Sequence, residues 1–387
     1  MDRVIPIVVV AYNRAKSVQR LLDSLNRARY ERDDIPLIIS IDRGENNQDV
    51  LEVAERFVWK HGEKTVVYQK ENLKLRKHIL KCADYSIEYG SVIILEDDLY
   101  VSEYFYDYAA QALDFSEKDD RIGGVSLYNH RFNVEASEPF EAIDDGYDNW
   151  YFQFASSWGQ AWTKKQWCEF KTWYEQNPKL DDRQEVPAYV RRWPSSSWLK
   201  YFIAFLIEKN KYFIYPRKSL TTNFGDAGTH VNTDNTNHQV PLQNAPMKYV
   251  FSDLENSGAV YDAFFENITL KKELNLDVCI DLYGMKPIGE ACFNSEYLLT
   301  RRILPRKIVK EYACSMRPHE ENILRGISGE DFFLYDMQVM ERNDAKQDSV
   351  RKMQYNLRYI DRSQYRYVIR LFIDKTIGGL KRRLKRR

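Results

Sequence analysis

The chain has 387 residues, enough for two domains or one large domain with an appendage, and its 57 Lys and Arg balance 57 Asp and Glu, so net charge points to no polyanionic partner. Five scattered cysteines (Cys82, Cys168, Cys279, Cys292, Cys314), without a CxxC pair or zinc spacing, exclude a disulfide scaffold and read as thiols of a reducing compartment. No window approaches the roughly 18 uninterrupted apolar residues of a membrane span, and the opening MDRVIPIVVV lacks a signal-peptide pattern, so a cytoplasmic location is expected.

Val4 to Val10 is an apolar, β-branched run ending in Ala11-Tyr12-Asn13-Arg14, although Pro6 within it counts against a central strand. Ser17 opens a helix with Val18, Leu21, Leu22 and Leu25 on one face. Pro36 to Ile41 predicts a second strand, closed by Asp42-Arg43-Gly44. Val50 to Trp59 predicts a helix, Lys64 to Tyr68 a third strand, and Leu73 to Tyr89 a further helix. Ser91 to Leu95 is apolar enough to be buried on both faces, and Glu96-Asp97-Asp98 follows at once. The alternation β-α-β-α-β-α-β predicts parallel strands, right-handed crossovers and a ligand crevice at the strands' carboxyl ends.

Polar groups fit for a nucleotide leave each of those strands. Three adjacent carboxylates repel one another, and a hard divalent cation carrying phosphate oxygens neutralises them most cheaply; a solvated turn is the plainer alternative. Arg14 can pair with phosphate through both arms of its guanidinium, and Asp42 can accept from the imide N–H of a uracil, although Asp42-Arg43-Gly44 is also an ordinary turn. No GxGxxG or GxxxxGK[ST] is present, which speaks against a dinucleotide or Walker-type site.

The segments IPIVVVAYNR, LIISIDRGE and SVIILEDDLYVSEYFYDY resemble a GT-A glycosyltransferase, most closely the N-acetylglucosaminyltransferase I type and its bacterial relatives. The resemblance continues through Ile122 to Asn129, Ser157-Trp158-Gly159-Gln160-Ala161-Trp162 and Asn223 to His230, in the right order. It implies an α/β fold of GT-A type, with a Rossmann-like, mainly parallel sheet flanked by helices, and a nucleotide-sugar held through Mn²⁺ or Mg²⁺. By the same resemblance Asp98 is the metal ligand, Asp97 contacts the ribose or donor sugar, and Glu96 lies close to that sugar. Asp42 reads the uracil, while Ala11, Asn13 and Arg14 line the nucleotide.

Trp150 to Trp173 is densely aromatic, and by resemblance Trp158 and Trp162 face the sugar; as residues alone they serve equally well as core. An inverting transferase needs a carboxylate to take the acceptor's proton. The family's base lies in an acidic Trp-Asp-Asp-Trp segment, whose counterpart here, Pro194-Ser195-Ser196-Ser197-Trp198, has no acid. Asp181, Asp182, Glu185 and Asp226 are the remaining candidates for the base. His230, in a turn with Gly225 and Gly228, is a candidate to complete the metal shell or hold the diphosphate, and an ordinary loop histidine otherwise. The polar stretch Val231 to Gln243 reads as a lid.

Residues 1–245 are thus expected to form the catalytic domain, with the nucleotide-sugar half at 1–130 and the acceptor half and lid at 131–245. Residues 246–345 form a small α+β accessory region, in which Phe251 to Leu276 reads as largely helical and Arg317 to Glu320 as a tie to the catalytic part. Residues 346–387 form a basic tail. In it Ile369, Ile373, Ile377, Leu380 and Leu384 recur at helical spacing, and nine Lys or Arg stand against one acid, Asp374, between Arg366 and Arg387. That pattern predicts a peripheral helix on an anionic membrane, at the inner face, with a saccharide or lipid-linked glycan as acceptor and no nucleic acid as partner. A sugar nucleotidyltransferase and an inactive sugar-binding scaffold are the alternatives.

Overall fold

The computed structural model describes residues 3–180, 185–226, 238–287, 294–357 and 364–384, and in the last helix not the side chains of 374, 375 and 378–384. The base candidates Asp181 and Asp182, the proposed ligand His230 and most of the expected lid, 231–237, lie outside the described residues.

The first part alternates as its periodicity predicts: β1 (Ile7–Ala11), α1 (Ala15–Arg27), β2 (Leu37–Ile41), α2 (Gln48–Arg56), β3 (Lys64–Tyr68), α3 (Lys74–Ala83), the short α4 (Tyr85–Tyr89) and β4 (Ser91–Glu96). Strand β1 is central, paired in parallel with β2 and β4. Pro6 does no harm there because it precedes the strand, and its carbonyl accepts from Ile93 N at 3.0 Å. Then come β5 (Leu99–Val101), α5 (Phe105–Ser116), β6 (Ile122–Ser126), the two-residue strands β7 (Phe132–Asn133) and β8 (Glu138–Pro139), β9 (Asn149–Phe152), β10 (Gln160–Thr163), α6 (Lys164–Gln176), α7 (Ala188–Arg191), α8 (Trp198–Glu208), β11 (Tyr212–Pro216), β12 (Thr221–Asn223) and β13 (Val260–Tyr261).

Nine of these strands form one mixed, mainly parallel sheet in the order β13-β9-β11-β6-β10-β4-β1-β2-β3, with helices packed on it. Strands β1, β2 and β4 are apolar on both sides and fully buried apart from the last residue of β4, because both faces of the sheet are covered. The sheet runs past the expected boundary at 245, since β13 pairs with β9. Phe251 to Leu276 is not largely helical either. Its only helix among the described residues is α9 (Leu270–Leu274), and Asp253, Asp262 and Asn267 accept hydrogen bonds from nearby backbone N–H groups, the local competition that keeps such residues out of helix interiors.

The accessory part is a four-stranded sheet of order β14-β15-β17-β16, built from β14 (Val278–Asp281), β15 (Tyr297–Thr300), β16 (Arg306–Tyr312) and β17 (Phe332–Met340), with α10 (His319–Leu324) over its core. Glu138 of β8 is buried against it, 2.5 Å from Arg301 Nη1, 3.0 Å from Lys352 Nζ and 3.6 Å from His319 Nε2. A carboxylate compensated this fully stays charged, and its pKa falls to about 2: burial pushes it up, but His319, Arg301 and Lys352 together pull it down further. Lys352 and Tyr355 belong to α11 (Ser349–Asn356), and the Tyr355 hydroxyl donates to Met316 O at 2.8 Å, so the expected tail starts its course packed on the accessory part. Helix α12 (Tyr365–Leu384) follows. None of the described helices is long and apolar enough to cross a membrane.

Candidate active site

Parallel pairing brings the three polar strand ends to one edge of the sheet. Val10 lies opposite Glu96, Ala11 lies opposite Ile41, and Asp42 N donates to Ala11 O at 2.9 Å. Ala11 is buried under the crevice, while Tyr12, Asn13, Arg43, Gly44, Asn47 and Asn72 line a cleft of about 700 Å³ between the exits of β1 and β2. That volume suits a nucleoside. Asn47 braces it by donating to Tyr12 O at 2.7 Å and to Asp42 O at 2.8 Å, and Arg43 lies over the Tyr68 ring at 4.8 Å.

Asp42 is 4% exposed and largely committed to the protein. Its Oδ1 accepts from Arg43 N at 2.9 Å and Leu73 N at 2.8 Å, and its Oδ2 from Lys74 N at 2.9 Å. It organises the cleft wall and joins β2 to the start of α3, leaving one lone pair on Oδ2 for a base.

At the end of β4, Arg14 spans two of the three acids: Nη1 donates to Asp98 Oδ2 at 3.1 Å and Nη2 to Asp97 Oδ1. Burial alone would favour loss of the guanidinium proton, yet Asp97 and Asp98 hold that proton more tightly still. The acids respond differently. Burial pushes Glu96 up to about 8, reinforced by Asp98 and Asp97 and only partly offset by Arg14 and a Trp198 hydrogen bond. Burial also lifts Asp97, to about 6, against the pull of Arg14. Glu96 Oε1 and Asp98 Oδ1 are buried with no hydrogen-bond partner. A buried carboxylate oxygen without a partner, such as Asp98 Oδ1, is a place where a hard cation fits. Among the described residues no group of three or more His, Cys, Asp or Glu surrounds a common centre, so Asp98 would hold such an ion with few protein ligands, as sites completed by substrate phosphates do.

Asp226 is placed by tertiary contacts. Its carboxylate accepts from Ser17 Oγ at 2.7 Å and from both terminal nitrogens of Arg20, and its carbonyl lies 3.5 Å from Arg14 Nη1. Burial would raise its pKa, but Arg20 and Ser17 hold it below the usual value, so it is a poor proton acceptor and a firm tie between its turn and α1. Glu185 is exposed. In Pro194–Trp198, Ser197 caps α8 by accepting from Lys200 N at 3.3 Å, which accounts for serine at that position.

The two tryptophans of the aromatic segment part ways. Trp162 is fully buried on β10, its ring 5.3 Å from Trp167 and 5.6 Å from Phe202, so its sugar-facing assignment gives way to a core role: the segment is a strand, and Trp162 lies on the face that α6 and α8 cover. Trp158 is half-buried in the loop before that strand, 4.7 Å from Tyr128 and 4.4 Å from His238 between ring centroids. Gly159 next to it has φ +93°, and a Cβ there would come within 2.8 Å of Thr221, which explains glycine at this turn. His238 was not expected. Burial depresses its pKa and the charge of Asp98 opposes that, so the imidazole stands within electrostatic reach of the acids. No local pattern marks it, whereas Ser17 and Arg20, three apart on α1, carry the spacing of a shared helix face.

Residues 1–256 match the GNT-I family. Over 171 residues the chain is 27% identical to the alpha-1,3-mannosyl-glycoprotein 2-beta-N-acetylglucosaminyltransferase of Arabidopsis thaliana, a stretch that covers 43% of this chain and 32% of that enzyme, so the chain spans about a third of the curated relative. Among solved structures, S. aureus TarS 1–349 in complex with UDP-GlcNAc is 12% identical with a TM-score of 0.38, covering 56% of this chain and 57% of that one. The mannosyltransferase PcManGT of Pyrobaculum calidifontis in complex with GDP-Man and Mn²⁺ is 15% identical with a TM-score of 0.34, covering 56% and 57%. Because the family match takes in every strand end that builds the acidic crevice and extends over well more than half of the 387 residues, the chain belongs to the GNT-I family.

Proposed function

We propose that this chain is a metal-dependent glycosyltransferase that takes a sugar from a nucleotide-sugar, with UDP as the nucleotide, and passes it to a saccharide acceptor. The observation that carries the reading is Asp98, whose Oδ1 is buried without a partner while its Oδ2 accepts from Arg14, the residue that follows the cleft-lining Tyr12 and Asn13. A Mn²⁺ or Mg²⁺ ion held by Asp98 would offset charge on the departing nucleoside diphosphate, an effect worth several kcal/mol. The protein's own groups supply the rest. Asn13, Arg43 and Asn47 would bound the space for the base, and the remaining lone pair of Asp42 Oδ2 would accept from it. Asp97 would accept from a ribose or sugar hydroxyl. Arg14 would have both arms available for phosphate oxygens if a divalent ion balanced Asp97 and Asp98 in its place. Trp158 offers a ring to the donor sugar.

Family membership supports inversion at the anomeric carbon. With Asp226 held by Arg20, Asp181 and Asp182 stand as the candidates for the base. N-acetylglucosamine, the sugar named for the Arabidopsis relative, is the first to test. Incubation with UDP-N-acetylglucosamine and a panel of other UDP-, GDP- and dTDP-sugars, with and without Mn²⁺, is expected to release nucleoside diphosphate from the UDP-sugars only when metal is present. Binding without release, insensitive to Asp98→Ala, would replace this reading with that of an inactive sugar-binding scaffold. Release of pyrophosphate from a sugar phosphate and UTP would favour a nucleotidyltransferase.

A further inference from the structure

Among the described residues, helix α12 is the long element whose apolar side chains are left in water. Every described side chain from Tyr365 to Ile377 is exposed, among them Phe372 at 71%, Leu371 at 60% and Ile369 at 58%. The body of the protein ends differently: α11, just before it, is fixed through Tyr355 to Met316 and through Lys352 to Glu138. Val368, Ile369, Phe372 and Ile373 fall on one side of α12 by their spacing, continued by Tyr365 and Ile377. Tyr367 and Leu371 lie off this stripe. An uncovered stripe of this kind demands a cover.

We propose that α12 is a docking surface for an anionic lipid bilayer, lying in the headgroup plane with its apolar stripe turned to the acyl chains. Charge decides between the possible covers. From Arg366 to Arg387 the sequence carries nine Lys or Arg and one acid, so two copies packed along this helix would set like charges side by side, whereas lipid phosphates neutralise them. The helix is 20 residues long but not apolar enough to cross a membrane, which leaves the interface as its place. Tyr365 and Tyr367, with an apolar ring and a polar tip, suit that depth. The inference is independent of the catalytic reading, because it uses no residue of the acidic crevice.

The test is co-sedimentation of the full chain with vesicles of phosphatidylcholine alone and of phosphatidylcholine containing about a third phosphatidylglycerol. The bound fraction is expected to be at least about tenfold larger on the anionic vesicles and to fall as salt is raised. Ile369→Asp combined with Phe372→Asp should cut it about tenfold, while Val339→Asp, on the exposed end of β17, should leave it unchanged. Arg366→Gln with Arg370→Gln keeps the stripe and should weaken binding with a shallower salt dependence. Equal binding to neutral and anionic vesicles, no binding to either, or full binding by the variant carrying both Ile369→Asp and Phe372→Asp overturns the proposal. So does sedimentation equilibrium showing a dimer that this double variant abolishes while vesicles capture neither protein.

Discussion

Arg14 Nη1 lies 3.1 Å from Asp98 Oδ2, so the acid expected to hold a metal already holds an internal cation. The guanidinium and a divalent ion are alternatives for the same carboxylate. Arg14 balances the acids in the protein alone, and Asp98 would be open to hold an ion if diphosphate oxygens engaged Arg14. This exchange would make metal and donor binding mutually dependent.

Removing the internal cation therefore has two consequences. Arg14→Ala leaves Asp97 and Asp98 uncompensated and should destabilise the protein by about 2–3 kcal/mol, at the lower end for a broken buried pair because Asp97 can take up a proton. It should also raise the affinity for Mn²⁺ in the absence of nucleotide about tenfold, read by electron paramagnetic resonance of free Mn²⁺. Unchanged Mn²⁺ affinity would show that the two cations do not share a site.

The raised carboxylates set a pH dependence with a definite sign. Glu96 near 8 and Asp97 near 6 hold protons in the folded protein that the unfolded chain has released, so their contribution to stability declines as pH rises from about 4 to about 8. The wild type should accordingly lose stability across that window relative to Glu96→Gln, by a few kcal/mol in total, as measured by urea unfolding at a series of pH values. A difference between the two proteins that stays flat with pH would contradict the buried, proton-holding state of Glu96.

Asp226 separates a tie from a base. Asp226→Asn weakens the contact to Arg20 and should lower kcat less than tenfold, whereas losing a general base costs about 10²–10⁴. If activity fell by a thousandfold with the acidic limb of the pH profile lost or displaced, Asp226 would be the proton acceptor after all.

The two tryptophans should fail in different ways. Trp162→Ala empties a fully buried site and should cost about 3–5 kcal/mol in unfolding free energy. Trp158→Ala should cost less stability, about 1–2 kcal/mol, because its ring is only half-buried against the core, and should raise the donor KM about tenfold. Equal effects of both on KM would remove Trp158 from the site.

Much of this was legible along the chain. The β-branched runs ending in Asn13-Arg14, Asp42 and Glu96-Asp97-Asp98 announce a parallel sheet and its polar edge, because alternation and strand-end chemistry are local properties. What local pattern cannot carry is contact between distant segments. Arg20 meets Asp226 across 206 positions, and His238 reaches the surroundings of Asp98 and Trp158 only through the return of the chain after β12. Phe251 to Leu276 misleads for a related reason: its aromatic residues look periodic, yet Phe251 is there to stack on Phe115 at 5.1 Å, and the intervening Asp and Asn residues bind their own backbone. Trp162 shows the remaining ambiguity, since a stretch as short as Gln160-Ala161-Trp162-Thr163 fits strand and helix alike until the neighbouring strands are known.

The most direct measurement is the affinity for UDP, by isothermal titration calorimetry, with and without Mn²⁺, in the wild type and in Asp98→Asn. Metal should tighten UDP binding by about a hundredfold in the wild type and by no more than about threefold in the variant, a gap of about 2 kcal/mol attributable to the Asp98 carboxylate, whose Oδ1 has no partner. UDP affinity that ignores Mn²⁺ in the wild type, or an equal response to Mn²⁺ in Asp98→Asn, would contradict the assignment of this crevice as a metal and nucleotide-sugar site.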